Sequence, residues 1–82
     1  SEDKQQVIEV EFDYQVEEQL LAKLENIVSY INTHDMTWEL TFVADKDMRP
    51  AIFPFANENG LKTLQLNQKN KNLEAVFREI TK

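Results

Sequence analysis

Two short runs constrain this chain more than anything else in it. Val7-Ile8-Glu9-Val10-Glu11-Phe12 and Thr37-Trp38-Glu39-Leu40-Thr41-Phe42-Val43 alternate apolar and polar residues with a period of two. That is the repeat of a strand whose successive side chains point to opposite faces of a sheet. Ile8, Val10 and Phe12 then share one face, Trp38, Leu40 and Phe42 share another, and the two sets are expected to meet in one core. Glu9, Glu11 and Glu39 fall on the opposite, wetted side.

The other elements follow from changes of period. Leu20, Leu21, Leu24 and Ile27 recur at helical spacing behind Glu17 and Glu18, which predicts a helix over about 16–25. Residues 27–32 are rich in β-branched and aromatic side chains, and the short stretch 33–36 predicts a hairpin with the strand 37–43. Asp47 is expected to cap a helix over about 48–58 that buries Met48, Ile52, Phe55 and Ala56. Pro50 sits in its first turn, whereas Pro54 must forgo a bond to the Pro50 carbonyl, so a kink or an irregular turn is expected there. Phe53 lies off the apolar stripe and reads as a candidate contact residue. Gly60, the only glycine, stands where the helix needs a left-handed residue to end. A last strand is expected over 61–67. Beyond it Leu73, Val76, Phe77 and Ile80 fall at i, i+3, i+4 and i+7, the stripe of an amphipathic C-terminal helix with Asn70 as its N-cap type.

The order strand, helix, strand, strand, helix, strand is that of an α+β, ferredoxin-like βαββαβ sandwich on a four-stranded antiparallel sheet, here with a C-terminal helix added. The stripe of that helix needs cover from the open sheet face, from a sheet edge or from another chain, and the mixed sheet face carrying Val7, Val28, Tyr30 and Val43 beside Glu9 and Glu39 is one such seat.

Composition narrows function mainly by exclusion. At 82 residues the chain reads as one domain, and 41% hydrophobic residues suffice for a packed core. A net charge of -6 disfavours nucleic acid and anionic membrane surfaces, both of which select cations. The absence of cysteine rules out thiolate metal sites and thiol nucleophiles. A single glycine rules out a Walker phosphate loop or a dinucleotide fingerprint. Asp45-Lys46-Asp47 opens like a calcium loop, but the required glycine is missing and the twelfth position is Ala56 instead of glutamate. His34, the only histidine, reads as a hairpin side chain. No spanning helix or signal peptide is expected, and a start without Met predicts a piece of a longer protein. No catalytic, cofactor or metal residue emerges.

The closing words of the sequence carry more information than their period. Leu73-Glu74-x-Val76-Phe77-x-x-x-Thr81 resembles the closing motif of ATP-binding subunits of ABC transporters that pair with ABC-2-type permeases, above all that associated with bacterial gliding motility. In these subunits a small accessory domain follows the nucleotide-binding core, and its order of elements is similar to this chain over essentially its whole length. The family commonly has Pro-Ser before Leu-Glu, where this chain has Lys71-Asn72. The resemblance implies a non-catalytic accessory domain that docks through Leu73, Glu74, Val76, Phe77, Ile80 and Thr81 onto its own ATPase core or a second ATPase subunit. The permease would be an indirect partner. ATP and magnesium would belong to the parent core, and the location would be cytoplasmic, peripheral to the inner membrane. The alternative is an ACT-like ligand-binding or self-association module, whose usual glycine-bearing loop after the first strand is replaced here by Asp13-Tyr14-Gln15. An RNA-recognition sheet is disfavoured by Glu9, Glu11, Glu39 and Gln65 on the open face.

Overall fold

A computed structural model of the chain describes residues 4–69. Its elements are β1 (Gln5–Phe12), α1 (Glu18–Leu21), β2 (Ile27–His34), β3 (Thr37–Val43), α2 (Arg49–Glu58) and β4 (Thr63–Lys69). The four strands form one sheet in the order β2-β3-β1-β4, and every neighbouring pair is antiparallel. The result is a small α+β domain. The amphipathic segment beginning at Asn70 lies outside the described residues.

The register explains why one sheet face is dry. Ile8 faces Leu40, Val10 faces Trp38 and Gln6 faces Phe42 across β1 and β3, so all six expected core residues fall on one side. Ile8, Val10, Phe12, Leu40 and Phe42 are fully buried and Trp38 retains 3% exposure. Leu21 and Leu24 from the first helical region and Met48, Ile52, Phe55 and Ala56 from the second pack against that same face. Phe12 and Phe55 meet with ring centroids 6.2 Å apart and planes tilted by 58°, within the range of favourable aromatic pairs.

The helix expected over 16–25 is much shorter. One α-turn forms, with the Ala22 N–H donating to the Glu18 carbonyl. Lys23, Leu24 and Ile27 then donate to the carbonyls three residues before them, the tighter geometry of 3₁₀-type turns. Two demands stop the helix. Ile27 is already paired with Phe42 in the sheet, and Asn26 adopts a left-handed φ of 68° to swing the chain into β2. Leu20, Leu21, Leu24 and Ile27 therefore serve one core from three local geometries instead of one helical stripe.

α2 matches its expected stripe and runs through Pro54 as far as Glu58. Met48 occupies the N-cap position, while Asp47 one residue earlier accepts the Arg49 N–H through Oδ1 at 3.0 Å. At the other end Gly60 is left-handed at φ 69°. The Gly60 N–H donates to the Asn57 carbonyl and the Leu61 N–H to the Ala56 carbonyl at 2.8 Å, the paired bonds of a Schellman ending. This ending holds Leu61 outside the sheet, so β4 starts at Thr63 and extends to Lys69, a shift of two residues from the expected strand. The hairpin turn is also tighter than expected: β2 continues to His34, and Asp35-Met36 alone reverse the chain, Asp35 at φ 47°.

Gln6 ties the second half of the chain to the first. Its side-chain amide donates to the carbonyl of Lys46 at 2.6 Å and lies 3.4 Å from that of Ala44, while its Oε1 accepts the Met48 N–H at 3.0 Å. One side chain thus meets the backbone needs of the loop that leads into α2.

Candidate surfaces for binding

The outer sheet face is where the chemistry of this chain is concentrated. By strand alternation it receives Val7, Glu9 and Glu11 from β1, Glu39, Thr41 and Val43 from β3, Ser29 and Ile31 from β2, and Asn67 and Lys69 from β4. Glu9 stands directly opposite Glu39, a like-charge pair that costs stability across antiparallel strands. Lys69 relieves it: its Nζ lies 2.9 Å from Glu39 Oε2. Lys69 is the register partner of Val7 on β1, and β3 lies beyond β1, so the lysine side chain must cross the central strand to reach its acid. Val7, 4% exposed, is buried yet stands outside the main core cluster, as expected for an apolar residue on this second face. Ile31 and Val43 on the same face are 54% and 45% exposed.

One expected member of that face belongs elsewhere. Tyr30 pairs with Leu40 and packs against the core cluster, because the register shifts between Ile27 and Ser29 and exchanges the faces of β2. Val28 sits at that irregularity and is exposed.

A second surface is invisible to periodicity. The loop after β1, the short α1 and the α2–β4 turn border an open cleft of about 560 Å³, with Val16, Leu20 and Leu61 as its apolar part and Tyr14, Glu17, Lys23 and Asn59 among its polar rim. Asp13 closes one end of the frame: its N–H donates to the Lys62 carbonyl and its Oδ1 accepts the Lys62 N–H at 2.8 Å. Tyr14 is highly exposed here, and an aromatic that fits neither the strand nor the helix pattern was the one signal available.

The titratable groups singled out by sequence take structural places. Asp47 and Arg49 form a two-pronged ion pair, Nη2 to Oδ2 at 2.7 Å and Nε to Oδ1 at 3.1 Å. The Arg49 side-chain hydrogen bonds, followed by its backbone N–H, hold the Asp47 carboxyl below the usual carboxylate range, and Asp47 in turn raises Arg49. Lys46 lies 3.7 Å from Glu25. His34 ends β2 at the surface with Nδ1 3.4 Å from Thr33 Oγ1. Among the described residues no group of three or more His, Cys, Asp or Glu side chains could hold a metal ion, and no helix is long and apolar enough to cross a membrane. Phe53 projects from α2 with 53% exposure. The docking residues Leu73, Glu74, Val76, Phe77, Ile80 and Thr81 lie outside the described residues, so the structure neither gathers nor separates them.

Comparison with protein-family models, curated proteins and solved structures finds no match to this chain.

Proposed function

We propose that this chain is a non-catalytic C-terminal accessory domain of an ABC transporter ATP-binding subunit, acting through contacts with its own ATPase core or with a second ATPase subunit. The observation that carries this reading is the closing motif Leu73-Glu74-x-Val76-Phe77-x-x-x-Thr81. The ferredoxin-like reading of the sandwich accompanies it. In its support stand the order β2-β3-β1-β4, antiparallel neighbours throughout, and both helical regions on one face of the sheet. Nucleotide chemistry belongs to the parent core, because a chain with one glycine cannot build the phosphate loop. The domain would act by differential burial: a tail that docks better in one arrangement of the ATPase subunits than in another biases the equilibrium between them.

The test has two parts. Purified domain mixed with radiolabelled ATP is expected to show no turnover, and saturable hydrolysis would overturn the non-catalytic reading. The parent reading frame is expected to carry a Walker loop and an ABC signature upstream of Ser1, and a frame without them removes the family assignment.

The cleft beside Tyr14 favours a second reading, the ACT-like ligand-binding module, because its volume is in the range of small-molecule sites. Saturable chemical-shift changes at Tyr14 and Leu20 on adding free amino acids would promote it over the first.

A further inference from the structure

We infer that the outer edge of β2 receives an extended segment of a partner protein as an added strand, with a lysine or arginine opposite Ile31 that reaches across β2 to Glu39 and Glu9. The inference goes beyond the proposed function and uses none of its tail residues.

The edge itself comes first. β2 ends the sheet on one side, and among the described residues no strand lies beyond it. An edge strand presents a row of unpaired N–H and C=O groups, which proteins commonly guard with charges or proline. β2 has neither guard. Ile27-Val28-Ser29-Tyr30-Ile31-Asn32-Thr33-His34 contains no acid, lysine or arginine, whereas β1 carries Glu9 and Glu11, β3 carries Glu39 and β4 carries Lys69. None of its residues is buried, and Val28 and Ile31 stand 59% and 54% exposed. Register shifts blunt its two ends, between Ile27 and Ser29 and between Asn32 and His34, yet Ser29 to Asn32 pair regularly with β3. That central stretch can template another strand.

The row behind Ile31 selects the charge of the occupant. Ile31 is the register partner of Glu39, and Glu39 is that of Glu9, so the row runs from the edge into a like-charge pair. Lys69 shows how a cation reaches this pair: its Nζ lies 2.9 Å from Glu39 Oε2 although its own strand is separated from β3 by β1. The span is two inter-strand gaps, about 10 Å in all. A strand added beyond β2 stands the same two gaps from Glu39. A cation opposite Ile31 on that strand would lay its aliphatic stem over the exposed isoleucine and carry its head to the acids. This argues for a partner strand over a second copy, since a copy of β2 brings no lysine or arginine and adds its own two acids to the seam. The net charge of -6 also favours the approach of a basic partner.

The test titrates the isotope-labelled whole chain with a blocked peptide of alternating threonine and valine that carries one central lysine. The same peptide with glutamate at the centre, and the lysine peptide N-methylated along its backbone, serve as comparisons. The lysine peptide is expected to shift the amides of Ser29 to Asn32 and of Glu39 saturably and to bind at least about tenfold tighter than the glutamate peptide. That preference is expected to vanish in Glu39→Gln, with Glu9→Gln read in the same way if the first variant loses its sheet. The N-methylated peptide should leave β2 unmoved, because strand addition needs its N–H groups. Equal affinity for lysine and glutamate peptides, binding of the N-methylated one, shifts confined to the cleft at Tyr14 and Leu20, or no shifts at all would each overturn the inference. So would β2 amides that shift on diluting the chain alone, which assign the edge to a second copy. Protection of the outward-pointing β2 amides at every dilution would overturn it too, by assigning the edge to another segment of the same chain.

Discussion

The two helical regions differ in the direction opposite to their propensities. The stretch 17–25 is rich in Glu, Gln, Leu, Ala and Lys, all good helix formers, yet its α-helix stops after four residues. The second contains Pro50 and Pro54 and runs for ten. The difference lies in what each must connect. The first has to deliver Ile27 into register with Phe42, and Asn26 turns the chain early to do so. The second is free to continue until Gly60 ends it, and its stripe of Ile52, Phe55 and Ala56 lies flat on the core. Packing and strand register outweigh helix propensity at this scale.

The comparison can be broken first at its anchors. Leu21 and Ile52 are both fully buried, one in each region. If burial instead of helix length sets their worth, Leu21→Ala and Ile52→Ala should each destabilise by about 2–5 kcal/mol and differ little, as read from urea denaturation midpoints. A Leu21→Ala effect several-fold below that of Ile52→Ala would show that the short region is a loosely held appendage.

A smaller effect of opposite sign is expected at Pro54. Replacement by alanine restores an N–H that can reach the Pro50 carbonyl, and the side-chain change should raise stability by about 1–3 kcal/mol, visible as a higher Tm. If Pro54→Ala is destabilising, the ring contributes packing that α2 depends on.

The smallest expectation concerns the start of α2. Asp47 has its folded-state pKa lowered by Arg49, so its contribution is present above the ordinary carboxylate range and is lost as pH falls through the lowered folded value. Asp47→Asn should therefore lower stability slightly at neutral pH and leave it unchanged in acid below the lowered value, so that the acid limb of the profile flattens. Because the pair is exposed, the difference should also shrink in high salt. An equal loss at neutral and acid pH would mean that Asp47 contributes independently of its charge.

What could be read in advance follows the same division. Ile8, Val10, Phe12, Trp38, Leu40 and Phe42 were legible because alternation encodes a sheet face directly, and Met48, Ile52, Phe55 and Ala56 because a helical stripe does the same. Tyr30 was misplaced because a register shift in an edge strand leaves no trace in periodicity. The cleft was missed because it is made where three connections meet, and connections have no period. The tail residues of the candidate site rest on the wording of the sequence, and their stripe lies outside the described residues.

The Gln6 clasp has a consequence for the order of assembly. The backbone that launches α2 is completed by a residue from the sixth position, across separations of 38 to 42 residues. The launching loop of the later helix is thus left unsatisfied until the earliest strand has docked. Trimming a handful of residues from the front of this domain should loosen a helix that begins more than forty positions downstream.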